Sequence, residues 1–388
     1  MGFRSSVRLC GAAFLLAAIA GCGGSQHGDH AASAVPAASV SARIVIGQPD
    51  FEHGEPPFNG PVIPIDRLIN PEGSVGVAGD GRLFVGDSRH LKMFASYDTA
   101  NGSAAQFAVP GAARHLSIRA GVLIASQDNR VEISSTLPTD ANAVPDNQIA
   151  GPAGCSANAF STPGAAFITP QGRLIVADTL NNRVLIWTQV PANGEDADFV
   201  VGQRDMVSCV ADAINDEGTG DGASTSSAQT LDSPTSVWSD DTRLVVVDSG
   251  NSRVLVWSTF PDGNFRAASH VIGQANFSDG AANLGQANAS NVSLSSPVSV
   301  DVREGGQLAV ADTGNNRVLV WNTFPSSDGQ AATQVIGQNG FTGKDANAGG
   351  AKPAANTLRA PTGVRFDRSN LVVTDTGNHR VLVFPSPN

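Results

Sequence analysis

The sequence predicts an all-β fold: a six-bladed β-propeller of four-stranded antiparallel blades, closed by pairing an N-terminal strand with the C-terminal blade. Three observations predict it. One line is written four times: LIVADTLNNRVLIW (174–187), LVVVDSGNSRVLVW (244–257), LAVADTGNNRVLVW (308–321) and LVVTDTGNHRVLVF (371–384). Its Asp positions lie 70, 64 and 63 residues apart, room for several short β-runs, which fits a propeller blade and not a helical solenoid. The series also extends upstream in degraded form. Pro71, Pro110, Pro163, Pro234, Pro297 and Pro361 open the repeats, and a second strand ends 16, 16, 15, 14, 15 and 14 residues later at Asp87, Ser126, Asp178, Asp248, Asp312 and Asp375.

Within a repeat the innermost strand, a, is PTGVRF (361–366), strand b is LVVTD (371–375) and strand c is RVLVF (380–384). In strand c of the preceding repeat Arg317, Leu319 and Trp321 face one side and Val318 and Val320 the other. Apolar residues on both faces belong to a sheet covered on both sides, as blades packed against neighbours are. Strand d is the VIGQ run at 199–203, 270–274 and 334–338, with weaker versions at 106–110 and 148–152. The last repeat lacks one, and an unused copy, IVIGQ (44–48), precedes the first. Pairing the two would remove the open edge of the array.

The fold is expected to occupy residues 43–388. Residues 1–21 read as an export signal: Arg4 and Arg8, then an apolar run from Gly11 to Ala20 too short to span a bilayer. The run ends in Ile19-Ala20-Gly21-Cys22, which resembles a bacterial lipobox and implies lipidation of Cys22; the alternative is an ordinary secretory signal with an unrelated Cys. Residues 22–42 are then the lipidated Cys and a small-residue, polar tether reaching roughly 25 Å on average. The expected location is the bacterial cell envelope, outside the cytoplasm, in the outer membrane of a Gram-negative host. Losing Arg4 and Arg8 takes the net charge from −11 to −13, a sign that disfavours nucleic acid and leaves the acyl chains to hold the membrane.

The stretch DTGNNRVLVW (312–321) resembles the NHL repeat, and residues 44–384 resemble a bacterial NHL-repeat six-bladed propeller. The longer NTFPSSDGQAATQVIGQNGF (322–341) resembles a subgroup that repeats a GQPDF-like phrase, present here at 47–51. The resemblance implies two kinds of activity. Many such propellers are binding modules, including the external sensor domains of some bacterial serine/threonine kinases. Other six-bladed relatives are a peptide amidating lyase and lactonase-like hydrolases, which hold a metal over the central channel.

The recurrent Asp178–Arg183, Asp248–Arg253, Asp312–Arg317 and Asp375–Arg380 pairs flank four-residue turns rich in Gly and Asn. Carboxylates can accept turn amides and an Arg fork can bridge back, so these pairs read as turn structure, since a catalytic role would need four equivalent sites around one axis. Cys155 and Cys209 open successive d-to-a connections, and in an oxidising compartment either a disulfide or two buried thiols is compatible with them. His53, His90 and His379 fall in one sector of the long-loop face, where Zn²⁺ is a chemical option. The loop 211–224, with Asp212, Asp216, Glu217 and Asp221, could hold Ca²⁺ but lacks EF-hand spacing.

Two functions follow. The first is a lipid-anchored, monomeric, non-enzymatic scaffold that presents its long d-to-a loops to a protein, peptide or glycan. The second is a metal-dependent lyase or hydrolase, for which the single Tyr97 is poorly placed and no His series falls at equivalent positions.

Overall fold

A computed structural model describes residues 40–56, 64–98, 100–111, 113–150, 154–213 and 225–387. The signal, Cys22, most of the tether and most of the acidic loop 211–224 lie outside these residues. Six four-stranded antiparallel sheets form the six expected blades. Blade one is Gly76–Val77, Leu83–Gly86, His90–Phe94 and Phe107–Pro110; blade two is His115–Arg119, Val122–Gln127, Arg130–Ser134 and Asn147–Ala150. Blade three is Ala166–Ile168, Leu174–Asp178, Arg183–Trp187 and Phe199–Val201; blade four is Pro234–Ser239, Leu244–Asp248, Arg253–Trp257 and His270–Ile272. Blade five is Ser299–Val302, Leu308–Asp312, Arg317–Trp321 and Gln334–Ile336. Blade six takes Pro361–Asp367, Asn370–Asp375 and Arg380–Pro385 from the end of the chain and Ile44–Ile46 from its beginning.

The ring closes where the spare strand was expected to close it. Ile44, Val45 and Ile46 pair antiparallel with Val383, Leu382 and Val381. Every residue of the b and c strands in blades three, four and five is buried, because the sheets are covered on both faces. Valines and leucines supply these positions: stiff, branched side chains that fill a pleated surface. The tryptophans ending strand c pack between blades while keeping one polar contact. Trp187 meets Phe160 edge-on at 6.0 Å, and the indole N–H of Trp187, Trp257 and Trp321 donates to the Glu195, Arg266 and Gln330 carbonyls at 3.1, 2.9 and 2.9 Å.

Two boundaries differ from the expectation. In blades three to six strand d stops after three residues instead of running through Gly-Gln. The Gly at 47, 202, 273 and 337 has φ of +87°, +92°, +86° and +93°, and a Cβ there would sit 2.5–2.6 Å from Leu68, Leu231, Leu294 or Leu358. Only Gly turns the chain there. Pro110, expected both to open blade two and to end the weak strand d at 106–110, ends the outer strand of blade one. The inner strand of blade two starts at His115.

Candidate functional site

On the long-loop face, the Asp–Arg pairs are fully buried hubs. Arg317 Nε donates to Asp312 Oδ2 at 2.7 Å, Nη1 to the Phe341 carbonyl in the loop after its blade, and Nη2 to the Ser290 and Ser293 carbonyls before it, at 2.8 and 3.0 Å. Asp312 also accepts the Ser295 amide at 2.7 Å and the Asn315 side chain at 2.8 Å. Arg183, Arg253 and Arg380 repeat this fan. Burial pushes these carboxylates upward, against the pull of their guanidinium partners, and Asp248 reaches about 6.

The turn residue before each Arg joins neighbouring blades. Asn182 and Asn316 adopt φ +53° and accept the amides of Ser233 and Ala360 at 2.8 Å; Ser252 accepts Ser296 at 3.3 Å. His379, at the same place, accepts the Asn70 amide on Nδ1 at 3.0 Å. The recurrent Gln of each VIGQ run is equally structural: Gln274 donates to the Asn251, Ser252 and Ala281 carbonyls at 3.2, 3.2 and 2.9 Å.

His53, His90 and His379 are not gathered into a ligand set. His53 Nδ1 is paired with Asp50 at 2.7 Å, His379 Nδ1 is occupied by Asn70, and His90 opens strand His90–Phe94 instead of lying in the turn. Among the described residues no three His, Cys, Asp or Glu side chains meet in a way that could hold a metal ion, so the described histidines do not fit the zinc of the enzyme reading; Asp216, Glu217 and Asp221 of the calcium loop lie outside the described residues. Asp212, the described acid of the proposed calcium loop, turns inward to accept Asn251 Nδ2 at 3.0 Å and the Thr230 hydroxyl at 3.1 Å. Cys155 and Cys209 form a disulfide with Cα atoms 6.2 Å apart, tying the loops after blades two and three. Sequence reasoning missed one hub: Lys92 stands five residues after Asp87, buried, 3.4 Å from its carboxylate and donating to the Arg67 carbonyl. The same five-residue offset as in the other pairs was the available signal.

The open cavity lies on the opposite face, where strands a and b turn. It holds about 750 Å³ at the mouth of the central channel. Below it the a strands converge on a space of about 30 Å³ lined in part by Ser74, whose hydroxyl lies 2.9 Å from that of Ser299. Arginine recurs at all six a–b corners: Arg82, Arg173, Arg243, Arg303 and Arg368 in the turns, and Arg119 as the last residue of strand a. This signal was legible in the sequence and was missed, because the residues flanking each Arg vary while the b and c strands repeat almost unchanged.

Arg119, Arg243, Arg303, Arg365 and Arg368 line the mouth, against Asp240, Asp301, Glu304 and Asp367. Most are anchored. Arg243 Nη2 reaches Asp240 at 2.6 Å and its guanidinium lies 4.0 Å from the Phe324 ring centre. Arg303 donates to the Arg368 carbonyl at 2.6 Å and covers Phe366 at 5.1 Å. Arg368 donates to the Gly79 carbonyl at 3.0 Å, carrying the stitching from blade six to blade one. Asp301 accepts the Phe366 amide at 2.7 Å and Arg365 at 3.4 Å; burial raises its pKa, opposed by Arg365. Tyr97 is buried behind the rim and donates its hydroxyl to Asp367 at 2.5 Å, which orients that carboxylate. The side chain of Arg119, which ends the inner strand of blade two, has neither a hydrogen bond nor an ion pair among the described residues.

Residues 358–384, the last repeat, match the family model described as NHL repeat. No curated protein matches the sequence. Among solved structures the chain is similar to the WD40 beta propeller domain of Doa1 (10% identity, TM-score 0.47, 91% of this chain and 95% of that one). It is also similar to a streptogramin B lyase (9%, 0.45, 84% and 95%) and to virginiamycin B lyase from Staphylococcus aureus (11%, 0.45, 84% and 98%). This chain is thus a six-bladed β-propeller whose last repeat matches NHL.

Proposed function

We propose that the protein is a non-enzymatic binding scaffold of the bacterial cell envelope, held by lipid on Cys22, which takes its partner at the channel mouth. The observation that carries this reading is the mouth itself: a cavity of about 750 Å³, within the range of ligand sites, with a rim fixed by ion pairs and ring contacts. Most groups capable of proton transfer are already engaged, the exposed Glu304 apart. Asp301 is held by Arg365 and the Phe366 amide, Asp367 by Tyr97, and the Ser239 hydroxyl donates to the Arg243 carbonyl at 2.7 Å instead of to a base. Such a surface supports recognition better than nucleophilic or acid–base turnover.

The test is a photo-crosslinking side chain placed at Glu304, exposed at the mouth, or at Asn288, exposed on the long-loop face. Envelope extract should yield an adduct from position 304 with the 43–388 domain. An adduct from position 288 alone would move the binding site to the face first expected from loop length. For the anchor, metabolic labelling with palmitate should mark the full chain and be lost in Cys22→Ser; equal labelling of both would refute it.

A further inference from the structure

Resting on that reading, we propose that the channel mouth recognises a carboxylate on an extended peptide, with Arg119 as the residue that receives it. The argument begins with charge. The whole chain carries −11, yet this cavity, larger than the one of about 450 Å³ beside blades one and two, is lined by five arginines against four carboxylates. Low-dielectric walls concentrate such a local field, so an anion is drawn to this point on an otherwise repelling surface.

Next comes the state of each arginine. Arg243 is paired with Asp240, Arg303 and Arg368 are tied to main-chain carbonyls, and Arg365 reaches Asp301. Arg82 and Arg173, the turn arginines outside the cavity, are paired with Asp80 at 2.8 Å and Asp241 at 3.0 Å. Arg119 alone among the six corner arginines has no such partner within the described residues, though it lines the same cavity. A guanidinium fork with its donors free is shaped for bidentate pairing with a carboxylate.

The rim also separates peptide from sugar. Phe167, Trp238 and Phe366 are 6%, 9% and 7% exposed, and Arg243 and Arg303 lie over Trp238 and Phe366. A saccharide ring would find no bare aromatic face to stack on. What the mouth offers is N–H donors, and an acidic peptide matches them.

The probe is the 43–388 domain titrated with an acetylated, amidated tetraglutamate peptide, its tetraglutamine counterpart and an oligogalacturonate, by calorimetry at low salt. The tetraglutamate should bind, with Kd rising at least ten-fold in Arg119→Gln and less in Arg119→Lys, while both variants keep the parent thermal midpoint. Equal binding of tetraglutamine that is still lost in Arg119→Gln would overturn the carboxylate assignment and leave the mouth as the site. Binding indifferent to Arg119→Gln would overturn the assignment of this residue. Preference for oligogalacturonate, or no binding of any probe, would overturn the peptide reading.

Discussion

Arg317 illustrates what a single repeated residue does. Its guanidinium neutralises Asp312 and fills carbonyls from the loops before and after its blade. Arg317→Ala would leave a buried carboxylate without its cation and three carbonyls without a donor, costing about 3–5 kcal/mol in urea unfolding. Arg317→Lys should recover only part of that. Blade one already shows the weakness of a lysine: Lys92 lies 3.4 Å from Asp87, and Asp87 Oδ2 and His90 Nδ1 have no hydrogen-bond partner. His115 governs a different property. Burial, with a smaller push from Arg114, lowers its pKa from 6.5 to about 4, and its Nδ1 is buried without a partner. Between those pH values the unfolded chain binds the proton that the folded chain refuses. Stability from this group is therefore full above pH 6.5 and is lost as pH falls toward 4, by about 2–3 kcal/mol. Asp248, raised by burial to about 6, acts in the opposite sense over much of the same range. The difference between the stability profiles of the parent and His115→Gln isolates the imidazole, and parallel profiles would contradict its buried, neutral state.

At the scale of elements, the closing strand and the disulfide are the two devices that join distant parts of the chain. Ile44–Ile46 completes blade six, and Arg380 Nη1 then donates to the Phe51 carbonyl at 2.6 Å, fastening the chain just beyond it. Removing residues up to Gly47 should expose the edge of Arg380–Pro385, so the shortened domain is expected to associate or aggregate where the 43–388 domain runs as a monomer in gel filtration. A monodisperse shortened domain would show that closure is dispensable. Cys155→Ser opens a link spanning 54 residues and should lower stability by about 4 kcal/mol in the chain-entropy model. These elements differ in how far the sequence reveals them. The blades, their order and the spare IVIGQ strand follow from periodicity, because each blade must bury the same two faces. The opening of blade two does not: Pro110 sits at a repeat-like offset, yet it pairs in register with His90 as the last residue of the outer strand of blade one. The histidine grouping failed because sector-level proximity ignores hydrogen-bond demand, and His379 is spent on the Asn70 amide.

The whole molecule separates two tasks between two faces. The long-loop face carries the recurrent vocabulary, and that vocabulary is consumed in holding blades together. The turn face carries an arginine per blade at otherwise dissimilar corners, and there the channel opens into a cavity of about 750 Å³. Loop length pointed to the first face; cavity shape and charge point to the second. Hydrogen exchange of the 43–388 domain, with and without the tetraglutamate peptide, tests this division most directly. Slowed exchange confined to residues near 119, 239–243, 301–306 and 365–369 is the predicted result. Protection confined to 203–213, 275–296 and 339–360 would contradict it.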